Sequence, residues 1–275
     1  MSIDAAFISQ FEEEVKLDYQ RMGSKLSNTV RRKTGVKGKD TTFQRAGKGS
    51  AGKKSRHGQV PLMNISHTPV KVTLEDWYAG DFVDKLDELK TNIDERKVVS
   101  ENGAAALGRK ADELIVDAMK DETANALIAA GGTGLTQTKV NTVYERFGTL
   151  EIPDDGQRFF AVAPENWTDL LGITAFSSSD FIGHDKLPYQ GGMIAKAWMG
   201  FMFFPFSGLA NGAGGATEAR NMAYHKNAVG VAVGAEISSD VTWQGKEQAW
   251  LIVYSMSQGA VTIDAQGVQM VDALR

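Results

Sequence analysis

Hydrophobic positions change their period along this chain, and each change marks an element. Over residues 3–22, Phe7, Phe11 and Val15 recur at every fourth position, Tyr19 and Met22 extend the stripe, and Glu12–Glu14 and Asp18 lie off it. That spacing predicts an amphipathic helix, with Ser2 placed to cap it. A lone helix of this length is marginal in water, so its stripe needs a covering surface, on its own domain or on another copy. Residues 31–58 then lose the pattern: six glycines, with Val36 and Phe43 the only large apolar side chains. The flanking stretches Thr41–Ala46 and Gln59–Ser66 are expected to pair as a long hairpin with a glycine-rich tip. Val70, Val72 and Leu74 alternate with Lys71 and Thr73 as a half-buried strand does.

A helical period returns over Asp81–Val98, with Phe82, Leu86, Leu89 and Ile93 on its buried side. It runs on from Gly103 to Ala130, interrupted only by Gly108, with Asn102 as cap and Gly131–Gly132 as stop. Leu107, Ala111, Leu114, Ile115, Ala118 and Met119 hold one side, and most of the charges hold the other. Such a helix would be about 42 Å long, a spine for the molecule. After it the pattern is β-rich: Arg158–Ala163, Gly200–Phe206, Ala228–Ile237, Ala249–Met256 and Val261–Ile263. Pro164 suits the first turn of a short helix that packs Trp167, Leu170 and Leu171 inward. Long loops are expected at Ser177–Tyr189 and Gly208–Glu218. This order of elements gives an α+β class.

Charge sharpens one region. Ten cations, Arg31, Arg32, Lys33, Lys37, Lys39, Arg45, Lys48, Lys53, Lys54 and Arg56, face the single acid Asp40, a local charge of +9. With a net charge of −4 for the chain, the remainder carries −13. A polycation attached to an acidic body suggests that copies attract each other. The competing reading is nucleic-acid binding through residues 31–58, by release of phosphate counterions. Against specific recognition, only Phe43 is available there to stack on a base, and no helix-turn-helix or zinc pattern is present.

Candidate chemistry is thin. Gly47-Lys48-Gly49-Ser50-Ala51-Gly52 matches GxGxxG and nearly matches a phosphate-binding loop, but Lys54 stands where the Mg²⁺-binding hydroxyl belongs. Pro61 and Gly58 also oppose the helix that such a loop must open. Ser177–Asp180 with His184 and Asp185 is the one place for hydrolytic or metal chemistry, and it reads better as a polar loop. The chain has no cysteine, so thiolate and disulfide chemistry are excluded. No catalytic, cofactor or metal residues are assigned, and an enzyme is not expected. Neither a secretory leader nor a membrane span is expected.

As an ordered set, these elements resemble the tailed-phage major capsid proteins of the Hong Kong 97-type fold. Phe11–Val30 (FEEEVKLDYQRMGSKLSNTV) resembles the N-terminal arm; VKVTLEDW, VDKLDELKTNIDERK and LGRKADELIVDAM resemble the strand, peripheral domain and spine helix. RFFAVAPENWTDLL resembles the entry to the axial domain, and YHKNAVGVAVG and QGAVTIDAQGVQMVDA the closing strands. The resemblance implies an arm (1–30), an extended basic hairpin loop (31–66), a peripheral domain (67–155 and 238–275, spine helix 103–130) and an axial domain (156–237). It further implies a virion shell of identical subunits in hexamers and pentamers around packaged double-stranded DNA, assembled in the host cytoplasm. A separate scaffolding protein, a portal and a decoration protein are expected partners, with non-specific DNA contact at most. The ten cations of the loop, and Phe7, Phe11 and Val15 of the arm, are the expected inter-subunit contacts. No self-crosslinking pair is singled out.

Overall fold

The computed structural model describes residues 23–84, 95–177 and 195–275. The chain begins with strands β1 (Arg31–Lys33), β2 (Asp40–Ala46), β3 (His67–Thr73) and β4 (Glu75–Asp84), followed by helices α1 (Glu95–Lys120) and α2 (Gln137–Thr149). Next come β5 (Arg158–Val162), α3 (Pro164–Gly172), α4 (Thr174–Ser177), β6 (Lys196–Trp198), β7 (Phe201–Pro205), β8 (Asn211–Gly212) and β9 (Gly215–His225). Strands β10 (Val229–Gln244), β11 (Ala249–Thr262) and β12 (Val268–Leu274) close it. They build a four-stranded sheet ordered β1-β10-β11-β4, a second sheet ordered β12-β9-β5-β7-β6 with β8 beside β9, and a two-stranded ribbon β2-β3.

The four-stranded sheet buries one face under α1, and the second sheet packs against α1 on one face and α2–α4 on the other. Alternation along β4 and β11 aims Trp77, Ala79, Tyr254 and Met256 at Leu107 and Ala111 of α1. Further along α1, Ile115, Val116 and Met119 enter a second core with Leu26, Val30, Met222, Tyr224 and Val229. A third core lies between the second sheet and α2–α4, where Val140, Phe147, Trp167, Leu170 and Phe176 meet Phe160, Phe201 and Phe203. Phe160 and Phe203 stack at 4.8 Å between centroids, and Phe147 meets Phe201 edge-on at 5.1 Å. Two polar side chains tie the layers together. Lys139 of α2 donates to the carbonyls of Ala130, Thr133, Gly134 and Asp272 at 2.8–3.2 Å. Its burial pushes the ammonium pKa down, against the pull of nearby acids, chiefly Asp169. Arg220 bridges the buried Asp272 and the Lys120 carbonyl that ends α1.

Several expected boundaries move. Thr41–Ala46 pairs with His67–Thr73 and not with Gln59–Ser66. The observed pairing lets Phe43 and Val72 bury together, whereas Val60, Leu62, Met63 and Ile65 are exposed. Asp81–Asp84 is strand, where a helix was expected from Asp81; residues 85–94 lie outside the described residues. The spine helix spans Glu95–Lys120 in place of 103–130, so Asn102 is inside it and Gly131–Gly132 lies well past its end. Gly103 is interior, and it is a glycine where a Cβ would meet the Tyr254 ring at 2.7 Å. Val261 and Thr262 extend β11, and Ile263 follows it, so no separate strand forms there. α2 is not among the expected elements, β12 falls within the expected closing strands, and the expected loop Gly208–Glu218 carries the β8–β9 pairing.

Candidate inter-subunit interface

The basic segment is built on a fixed root. In the β2–β3 register Phe43 lies opposite Val70, and its ring is buried with Val72, Ala232 and Ile263, with Val36, Leu74 and Val261 around it. Gly230 of β10 makes room: a Cβ there would stand 2.9 Å from the Phe43 ring. The Arg31 guanidinium and Lys33 ammonium lie over that ring at 5.7 and 6.0 Å. β1 runs parallel to β10, from Arg31 opposite Gly230 to Lys33 opposite Ala232. The root is therefore welded to the four-stranded sheet.

Beyond Ala46 and His67 the two arms stay side by side. The Gly47 N–H donates to the Ser66 carbonyl at 2.8 Å. A Cβ at Gly49 would meet Met63 Sδ at 2.9 Å, and one at Gly52 would meet Pro61 Cγ at 2.7 Å. These glycines are needed because the return arm's side chains occupy the space a Cβ would take. The loop is thus a ribbon with two unlike edges. Its outgoing arm is cationic, and its return arm carries Val60, Leu62, Met63 and Ile65, of which Leu62 is 81% and Val60 67% exposed.

The ten cations divide. Arg32 pairs with Glu236 at 2.8 Å, Arg45 with Asp264 at 2.9 Å, and Lys48 with Glu151 at 2.9 Å. Lys33 donates to Thr41 Oγ1 at 2.6 Å. The Lys48 hydrogen bond holds the Glu151 carboxyl below its usual pKa, and Lys71 with Thr73 does the same for Asp40. Lys37, Lys39, Lys53, Lys54 and Arg56 form no ion pair among the described residues, and all five are exposed. Charge counting found this segment, but it missed the apolar return arm, which read as half of a hairpin.

The expected arm contacts Phe7, Phe11 and Val15 lie outside the described residues; the seat where the segment joins the body is described. Asp112 of α1 is fully buried and accepts from Ser24 Oγ at 2.6 Å and from the N–H groups of Lys25 and Leu26 at 3.1 and 3.0 Å. Thr29 Oγ1 shares a 2.6 Å hydrogen bond with the Tyr224 hydroxyl, and burial pushes that phenol's pKa up.

The phosphate-loop match does not acquire its context, since no helix follows Gly52 before β3. Of the Ser177–Asp185 loop only Ser177 is described. Among the described residues, no group of three or more His, Asp or Glu is placed to hold a metal ion, and no helix is long and apolar enough to cross a membrane.

No curated protein matches the chain. Solved structures do. "Capsid structure of the Cyanophage P-SCSP1u" aligns over 98% of this chain and 94% of its own, with a TM-score of 0.75 at 18% identity. A structure from Mycobacterium phage Che8 aligns over 97% of both chains, with a TM-score of 0.73 at 17% identity. The capsid of Ralstonia phage GP4 covers 100% of this chain and 98% of its own, with a TM-score of 0.68 at 14% identity. At such identities the likeness establishes the fold, α+β and of the Hong Kong 97 type. Membership comes from the sequence itself, because the phage capsid protein family matches residues 3–274. That match does not favour the nucleic-acid-binding alternative. The ribbon, the long helix and the two sheets are thus those of a shell subunit, and the chain belongs to the phage capsid protein family.

Proposed function

We propose that this chain is the major head protein of a tailed phage, and that its copies assemble through hexamers and pentamers into an icosahedral shell around double-stranded DNA. The observation that carries this reading is the loop. Its root is buried on the subunit's own sheet, while its tip presents unmatched cations and exposed apolar side chains. A ribbon of that composition gains order only by burying itself on a partner. In a homo-oligomer the partner is an identical chain, whose surface outside the loop is acidic.

In this reading residues 1–30 are the arm, 31–66 the loop, 67–155 and 238–275 the peripheral domain, and 156–237 the axial domain. α2 and β12 share a core with β5, β7 and β9, which binds the two domains into one body. The ten loop cations and Phe7, Phe11 and Val15 are the proposed contact residues, with Arg32, Arg45 and Lys48 shared with their own chain's acids. The subunit acts without catalysis, in the virion, after assembly in the host cytoplasm. A scaffolding protein, a portal and a decoration protein are its proposed partners, and its contact with packaged DNA is non-specific.

Negative-stain microscopy of the chain expressed with its neighbouring genes tests this. Closed shells or hexameric and pentameric rings are expected. A monomer at high concentration, retained on DNA with a steep salt dependence, would replace the reading with the nucleic-acid one.

A further inference from the structure

The chain crosses from one sheet to the other in three residues. β9 of the second sheet ends at His225, a single 3₁₀ turn spans Lys226–Ala228, and β10 of the four-stranded sheet begins at Val229. So short a turn cannot satisfy its first N–H groups internally, and a side chain has to accept from them. Here that side chain is an imidazole: His225 Nδ1 accepts from the Asn227 N–H at 3.2 Å. His57 and His67 are exposed, whereas His225 is buried.

A backbone N–H only donates, so Nδ1 must offer it a lone pair. The neutral ring then carries its proton on Nε2, which donates to Asp155 Oδ1 at 3.1 Å. A second proton has only Nδ1 to go to, and there it faces the Asn227 N–H donor to donor. The other charged groups around the ring leave this conflict in place. Arg158, its register partner on β5, turns its guanidinium to the carbonyls of Ile152 and Pro153 and toward Asp154. Lys226 follows it in the chain, and Asp264, ahead of β12, pairs with Arg45 at 2.9 Å.

The turn also supports its neighbours. The Ala228 carbonyl accepts from the N–H groups of Ile263 and Asp264 at 2.7 and 3.1 Å. A Cβ at Gly267 would stand 2.6 Å from Ala228 Cβ, so the two turns are packed together. Arg45 belongs to β2, in the loop root. One series of contacts therefore runs from the imidazole through the Asn227–Ala228 turn and Asp264 to the base of the basic loop.

We propose that His225 is a proton-operated switch in this crossover: a proton on Nδ1 uncaps the Lys226–Ala228 turn and loosens Asp264, which pins the loop root through Arg45. The ring exchanges an accepted backbone hydrogen bond for a full ion pair with Asp155, so the crossover opens locally while the body stays folded. Imidazole is the side chain that changes charge between about pH 5 and pH 8. The switch belongs to the single subunit and does not depend on the shell reading.

Two NMR measurements on the free subunit test this. At about pH 8, long-range ¹H–¹⁵N correlation of the His225 ring should place the proton on Nε2, and a proton on Nδ1 would overturn the proposal. From about pH 8 to pH 5, exchange protection of the Asn227 amide, corrected for intrinsic pH dependence, should fall about tenfold, what one backbone hydrogen bond contributes. The Ile263 and Asp264 amides should follow, with β5 and β7 unchanged. In His225→Asn the carboxamide oxygen takes the place of Nδ1 and does not titrate, so protection should hold through the range. Constant protection in the wild type, an equal fall in His225→Asn, or a fall shared by β5 and β7 would overturn the switch. A fall confined to Asn227 would overturn its link to the loop root.

Discussion

Gly108 of α1 and Gly23 are in direct backbone contact: a Cβ at 108 would stand 2.7 Å from the Gly23 carbonyl carbon. The chain crosses the spine helix there, and only a glycine lets it pass so close. Gly108→Ala therefore sets overpacking of about 1–3 kcal/mol against a helix-propensity gain of about 1 kcal/mol. The expected outcome is a net loss, seen as a lower Tm. Gly148→Ala, in α2 with nothing within 4 Å of the added Cβ, should be neutral or gain up to about 1 kcal/mol.

One turn on, Asp112 holds the same crossing. Asp112→Ala leaves the Ser24 hydroxyl and the Lys25 and Leu26 N–H groups without their acceptor, at a cost of about 3 kcal/mol. Asp112→Asn keeps one acceptor oxygen and should lose roughly half as much. Urea unfolding of the two variants checks the ranking. Equal midpoints for wild type and Asp112→Ala would show that the seat contributes nothing.

Phe43 fixes the loop root. Phe43→Ala opens a cavity beside Gly230 and should cost about 3 kcal/mol. Its effect should be local: hydrogen exchange should speed up at residues 40–46 and 67–73 and stay unchanged in β5 and β9. Uniform acceleration would mean that the root and the body unfold as one unit.

The Lys48–Glu151 tie should respond to acid. Glu151 has a folded pKa below its ordinary value of 4.5, so the tie is fully present above 4.5 and is lost as pH falls through the lowered folded value. The titration of the Glu151 carboxyl, followed by ¹³C NMR in the free subunit, should have its midpoint below 4.5 and move up toward 4.5 in Lys48→Ala. A midpoint that is the same with and without the Lys48 ammonium would contradict this.

Much of this architecture was legible locally and little of it at long range. The helical period of Leu107, Ala111 and Ile115 announced the spine, but its ends did not. Gly103 looked like a start because the space it leaves is filled by Tyr254, 151 residues later. The helix stops at Lys120, whose carbonyl is taken by Arg220. The loop likewise appeared as a block of charge. Which cations are used at home depends on Glu236, Asp264 and Glu151, each about a hundred residues or more away. The apolar return arm reads as a strand because alternation does not distinguish apolar side chains buried on the chain's own body from exposed ones.

Deleting Lys48–His57 tests the central claim most directly, because it removes the ribbon's tip while leaving Phe43 and the β2–β3 root in place. The body should keep its thermal midpoint within a few degrees. Sedimentation of the deletion variant expressed with its neighbouring genes should show free subunits, where the full chain should give shells. Shells formed at wild-type yield would contradict the account, because the loop would then play no part between copies.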